Sequence, residues 1–263
     1  MAPEESQLIE GTEVRSYFVR QRNALLVRAD AGELFVDYYL HLHDHGLRHA
    51  EIPDRMLKET LVAMLLHGTS RPWTESIAWT INFQDPLLNV FVALDNKLAT
   101  IAGNVFTKDV RENTVSLFYS DVVRSGEQAR RSVVNFEGSE VFSAVESYYA
   151  QSEQRLARFF QLDEEDYVFI SAQPDCDLDW LGSLTTEAVR EIDKSETLSL
   201  LETRRYRWTC GCSEERLLPM LATAMKTDRD ELFGGNESIR ITCPRCGAGY
   251  TISRAMMDKL HEP

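Results

Sequence analysis

No stretch of this chain has the length and apolarity of a membrane span. The longest uninterrupted apolar run is Leu61–Leu66, against the roughly 20 residues a spanning helix needs, so no membrane role is expected. The first residues, Met1–Glu13, are acidic and lack the apolar core of an export signal; a cytoplasmic location is the expectation. Positive charge is scarce, with 28 Lys and Arg against 42 Asp and Glu and a formal net charge of −14. That balance argues against a surface built to neutralise phosphates, and nucleic acid is not expected as the main partner. There is no internal repeat, no low-complexity tract and no G-x-x-x-x-G-K-[ST] phosphate loop. Cysteine is almost missing from the first 205 residues, where Cys176 stands alone.

What is present reads as folded protein. The 263 residues are 43% hydrophobic and 27% charged, enough for one large or two modest domains with a real core. Charge is unevenly spread. From Tyr206 onward acids and bases cancel, so the whole negative balance lies before it, and Gln161–Glu196 alone carries 11 acids against Arg190 and Lys194. Four of the five cysteines lie beyond that acidic stretch.

Hydrophobic periodicity sketches an α+β order. Residues 1–13 read as a disordered tail, Asn23–Ala29 as a strand, and Gly32 to His45 as a helix with Leu34, Phe35, Tyr38, Tyr39 and Leu42 on one face. Pro53 and Asp54 open a second helix, with Met56, Leu57, Leu61, Met64 and Leu65 as its stripe, ending near Gly68. Ile77, Trp79, Ile81 and Phe83 alternate with smaller polar residues at strand period. Turns at Asp85-Pro86 and Asp95-Asn96 continue this into a five-strand meander that ends at Phe136. A long helix is expected from Ser139 to about Phe160, a strand over Tyr167–Ala172, and a helical segment from Ser183 to about Arg204. The expected division is an antiparallel-sheet-plus-helices domain at 14–178, an acidic helical linker at 179–206 and a small cysteine-rich domain at 207–263.

The chemistry concentrates in that last part. Cys210-Gly211-Cys212 and Cys243-Pro244-Arg245-Cys246 are separated by thirty residues. Two close pairs far apart in sequence can bring four thiolates to the corners of a tetrahedron, the closed arrangement of structural zinc. Pro244 and Gly247 suit a knuckle turn. Between the pairs, Ser213 can cap a helix, Thr227 with Asp230 resembles a capping box, and Ser238–Thr242 is strand-like. The plain reading is a zinc staple for a domain too small to hold itself. The one-residue gap of the first pair adds another possibility, because its thiols are close enough to join on oxidation. Zinc keeps the sulfurs as thiolates, the form that oxidants attack.

These residues resemble a known family. C-x-C-S with Glu215-Arg216, then C-x-x-C-G with Tyr250 three residues beyond Gly247, is similar to the redox-switch domain of heat-shock protein 33, a bacterial holdase chaperone. Upstream, Val134-Asn135-Phe136-Glu137-Gly138 and Tyr148-Tyr149-x-x-Ser152-Glu153-Gln154 resemble that family's strand, glycine turn and following helix. The likeness runs from about Val19 to Leu260. It implies a four-cysteine zinc site at Cys210, Cys212, Cys243 and Cys246, with the reduced zinc form inactive. Oxidation would pair Cys210 with Cys212 and Cys243 with Cys246, release zinc, and unfold the C-terminal domain and linker. Unfolding client proteins would then be held without ATP, by a form that can dimerise. One departure stands out: only Glu202–Thr209 separates Leu201 from Cys210, so the linker is short for the family.

Other candidates are weaker. His41, His43, His45 and His49 form a second possible metal cluster, but histidines near a helix C-terminus also suit its dipole. Cys176 sits among Asp175, Asp177 and Asp179, which disfavour a reactive thiolate. A zinc-ribbon-like binding module with a purely structural metal is the alternative, with Arg204, Arg205, Arg207, Arg240, Arg245 and Arg254 offering basic character. An enzyme is not expected, since four cysteines leave no open position on the metal for water.

Overall fold

The computed structural model describes residues 10–124, 126–224 and 232–259. Helix α2 (Glu51–Thr69) is its axis. Glu51 and Asp54 complement the dipole of its first turn. Pro53 falls where the backbone N–H has no partner within the helix, so it costs no hydrogen bond. From Thr60 to Thr69 every residue is buried, and the hydroxyls of Thr60 and Thr69 donate to the carbonyls of Met56 and Leu65. A helix covered all round must lie inside. Gly68 allows its closest approach to the sheet, since a Cβ there would lie 2.7 Å from a Leu94 methyl.

Two half-sheets wrap this helix. One runs β7 (Arg130–Phe136), β6 (Ser116–Arg124), β3 (Glu75–Gln84), β4 (Leu87–Asp95), β5 (Thr100–Phe106). The other runs β10 (Leu198–Trp208), β1 (Thr12–Val19), β2 (Ala24–Asp30), β9 (Asp166–Ala172), β8 (Ala157–Gln161). A two-residue parallel pairing, Arg207 and Trp208 against Thr100 and Ile101, joins them into one ten-stranded sheet. Helix α1 (Gly32–Asp44) and helix α3 (Val141–Tyr148) pack with α2 against one face. Their core is aromatic: Trp79, Phe118, Tyr148, Tyr149 and Phe169 are buried, with Phe118 and Tyr148 stacked at 4.9 Å.

The α+β class, helices α1 and α2 and the five-strand meander follow the sequence reading, and three expectations do not. Residues 12 and 13 belong to strand β1, not to a tail; β1 pairs with β10 from Thr12 to Val19 and with β2 from Val14 to Val19. The helix expected from Ser139 to Phe160 ends in a π turn at Tyr149–Glu153, and Gln154 adopts φ +55° before strand β8 begins. The helix expected to reach Arg204 stops at Ser195. Helices α4 (Leu178–Ser183), α5 (Thr186–Arg190) and α6 (Ile192–Ser195) are short, and β10 follows them. The acidic stretch is nonetheless amphipathic. Leu181, Leu184, Val189 and Ile192 face inward onto Leu26, Phe160, Val168 and Ile170, covering the outer face of one half-sheet. No helix among the described residues is long and apolar enough to cross a membrane.

Candidate metal centre

Strand β10 delivers the first cysteine pair. Its last residues pair with the edge of β5, Arg207 N–H donating to the Ala99 carbonyl at 3.1 Å and Thr209 N–H to the Ile101 carbonyl at 3.0 Å. Cys210 is the next residue. Gly211 turns at φ +67°, its carbonyl held by Arg216 at 2.8 Å, and Ser213 caps helix α7 (Glu214–Ala224) through Arg216 N–H at 3.3 Å. The capping box expected at Thr227 and Asp230 lies outside the described residues. The second pair sits in a knuckle between β11 (Ser238–Thr242) and β12 (Gly249–Ser253). There Cys243 N–H donates to the Ala248 carbonyl and Gly247 N–H to the Cys243 carbonyl, at 2.8 and 2.9 Å. Gly247 makes this turn at φ +78°, a conformation other residues enter only under strain. Helix α8 (Arg254–Lys259) closes the module.

The four sulfurs meet. All lie within 4.8 Å of one another, with Cys210 to Cys243 at 3.7 Å and Cys212 to Cys246 at 3.4 Å. A zinc–sulfur bond of about 2.3 Å gives a tetrahedron edge of about 3.8 Å, so the quartet fits a four-coordinate thiolate site. Cys243 and Cys246 are buried, whereas Cys210 and Cys212 are half-buried. Hydrogen bonding from Cys246, then from Cys212 and Cys243, with the charge of Arg245, draws the Cys210 thiol down to about 5 against the effect of burial. Cys246 is pushed up as the donor of that bond. That arrangement favours the thiolate at Cys210, the form that both metals and oxidants take.

The centre is also tied to its surroundings. Tyr250 Oη lies 3.0 Å from Cys212 Sγ and 3.1 Å from the Cys212 carbonyl. His41, in the last turn of α1, presents Nε2 to the Cys246 carbonyl at 2.8 Å, and its ring packs 5.3 Å from Trp208 and 4.6 Å from His45. A ring nitrogen facing a carbonyl must carry the proton. Among the described residues the four cysteines are the one cluster of three or more such side chains able to hold a metal. The histidines do not form a second one; His41 serves as a contact to the first. That role was absent from the sequence reading, because nothing in the chain marks which helix end meets the knuckle. Cys176 stays apart, half-buried, its thiol pushed up by burial and by Asp177. Of the arginines named for their basic character, Arg207, Arg240 and Arg245 are exposed and the other three are engaged within the fold. Arg204 is 4% exposed and serves the Gly68 and Arg71 carbonyls, Arg205 pairs with Glu13, and Arg254 lies over Phe233.

Comparison with known proteins agrees over most of the chain. Residues 161–253 match a family model described as Hsp33 protein. The 33 kDa chaperonin of Vibrio vulnificus is 21% identical over 240 residues, covering 79% of this chain and 82% of that protein. That of Nitrosococcus oceani is 22% identical over 232 residues, with 78% and 80% covered. The Edwardsiella ictaluri protein is 28% identical over a shorter 153 residues, about half of each chain. The crystal structure of a 33 kDa chaperonin from Thermotoga maritima superposes with a TM-score of 0.72, covering 95% of this chain and 98% of that one at 14% identity, which speaks for the fold.

Proposed function

Because the chain belongs to the Hsp33 family, we propose that it is a redox-regulated, ATP-independent holdase: closed while its cysteines are reduced and bound to zinc, and open to unfolding client proteins once they are oxidised. The observation that carries this reading is the thiol quartet itself, two of its cysteines half-buried, joined directly to the end of a sheet strand. Zinc, when bound, keeps the four sulfurs as thiolates and ties the end of β10, α7 and the knuckle to one point. Oxidation by peroxide joins Cys210 to Cys212 and Cys243 to Cys246. Each disulfide consumes one peroxide, two thiol hydrogens or their equivalents, and yields two waters.

The proposed division of labour keeps a chaperone body, expected at 14–178 and completed by Thr12, Glu13 and strand β10, an acidic covering segment within 179–197 and a redox module from Thr209 onward. The stretch Gln161–Glu196, which runs from the end of the body into that segment, has a net charge of −9. Its self-repulsion opposes the apolar contacts that dock it, so its release is easier at low ionic strength. The active form is taken to act in the cytoplasm, on unfolded protein and not on nucleic acid or membrane, with dimerisation on oxidation and no catalytic turnover. Zinc release and thiol counting during peroxide treatment with mild heat, run beside a light-scattering assay of client aggregation, test the proposal. The expected result is loss of one zinc and four thiols together with gain of holding activity, both abolished by Cys210→Ser. Equal holding by reduced and oxidised protein refutes the switch.

A further inference from the structure

Strand β5 is satisfied on one side only for most of its length. It pairs antiparallel with β4 from Thr100 to Phe106, but β10 reaches its other side only at Thr100 and Ile101. Backbone groups alternate in direction along an antiparallel strand. Since the Ile101 carbonyl points away from β4 to accept from Thr209, the groups of Gly103 and Val105 point the same way. No strand meets them there. Val105 N–H falls back on the side chain of its own neighbour, Asn104 Oδ1 at 2.9 Å. Gly103 makes no hydrogen bond on that side among the described residues. Yet Ala102, Gly103, Asn104 and Val105 are all buried, and buried backbone groups without partners are costly.

The cysteine module reaches this edge at Asn104. Cys210 leaves β5 one residue after Thr209, and the knuckle returns over Asn104: a Cβ at Gly247 would stand 3.3 Å from Asn104 Oδ1 and 3.1 Å from a Leu47 methyl. His41 holds the same turn through the Cys246 carbonyl.

We propose that the β5 edge from Gly103 to Phe106 is a strand-addition site for an extended main-chain segment of an unfolded client, uncovered when the cysteine module lets go. This rests on the holdase reading above and names the surface it uses. The occupant continues the line along which residues 207–209 of this chain already pair with β5. Pairing through the main chain is indifferent to side-chain sequence, as a holder of many unfolded proteins requires. A short edge gives a few bonds and a brief hold, which suits release.

Amide hydrogen exchange at Gly103 and Val105 of the full chain tests this, with reduced, carboxymethylated α-lactalbumin as a permanently unfolded client and gel filtration to score binding. Exchange at both amides is expected to rise at least tenfold when the zinc-loaded chain is oxidised. It should fall at least tenfold when the client is added, with Ala93 on β4 unchanged throughout. Edge amides that do not open on oxidation overturn the proposal. Client that co-elutes with the oxidised chain while both amides stay unprotected overturns this site and leaves the chaperone reading standing. Client that fails to co-elute overturns both.

Discussion

The sheet body and the cysteine module are held by different means. In the body, α2 threads between two half-sheets and buries Trp79, Phe118, Tyr148, Tyr149 and Phe169. Among the described residues of the module, the buried apolar side chains of its core are Leu218, Phe233, Ile252 and Met257, beside a separate cluster made chiefly of the cysteines themselves. A core that small cannot offset the conformational entropy of its residues. The body is therefore insensitive to the state of a few sulfurs, while the module depends on them. A switch needs that asymmetry: one part that lets go and one that keeps its shape.

The largest expected effect tests the asymmetry directly. Removing metal with a strong chelator, or making Cys243→Ser, should withdraw on the order of 10 kcal/mol of folding energy from the module. Trypsin should then cut at Arg240, Arg245 and Arg254 while the body resists and melts at an unchanged temperature. A body that melts with the module would erase the distinction.

Where the body ends was the hardest point to read from the chain. The four cysteines announce themselves by spacing, and the β3–β7 meander by clean alternation around Trp79. Strands β1 and β10 hide because their charges answer each other across the pair and not along the sequence: Glu13 pairs with Arg205, and Arg204 points into the core. Leu200 and Leu201, which look like buried helix positions, are 58% and 57% exposed. The break in the helix at Gln154 depends on a left-handed backbone that no glycine marks. The contact of His41 with the knuckle depends on tertiary docking alone.

Strand β10 thus starts as apparent linker and finishes as body, and Arg204 locates the change. Its guanidinium donates to the carbonyls of Gly68 and Arg71 at 3.2 and 2.9 Å and to Glu202 at 2.6 Å, and lies 4.2 Å over Trp73. Arg204→Met removes the donor described for the Arg71 carbonyl, while the Gly68 carbonyl keeps Asn96 and Arg71 N–H and Glu202 keeps Trp73, and it should cost about 1–3 kcal/mol in urea unfolding. Leu200→Ser, four residues earlier and exposed, should stay within about 0.5 kcal/mol. Similar costs at both positions would make β10 uniform and dissolve the boundary.

A smaller effect separates the two parts by pH. His67, fully buried on α2 against Tyr149, is held well below its ordinary range, first by burial and then by Arg71 and Arg155. Below about pH 6.5 the unfolded chain takes up a proton that the folded body refuses, so stability falls as pH drops. Between pH 7.5 and 5.5 the loss from this residue should be on the order of 1 kcal/mol. Urea titrations at the two pH values, compared with His67→Gln, should show that part of the slope vanish. A slope unchanged by the substitution would mean that the acid sensitivity of the body lies elsewhere.

The smallest effect concerns the seam itself. His41 belongs to the body, but its bond to the Cys246 carbonyl belongs to the module, and no other hydrogen bond described from α1 reaches the knuckle. His41→Ala should cost about 1 kcal/mol of docking, a change too small to register in global unfolding of a body held by its aromatic core. It should appear as opening: about fivefold faster transfer of zinc to a colorimetric chelator, and about fivefold faster trypsin cleavage within 240–254. His41→Gln, which can still donate to the carbonyl, should recover part of both rates. If the alanine variant instead lowers the melting temperature of the body and leaves zinc transfer unchanged, His41 is a core residue of α1 that happens to touch the knuckle. The two parts would then be coupled through β10, Thr209 and the packing of the knuckle on Asn104, so that the sheet edge and not the helix end would carry the state of the sulfurs into the body.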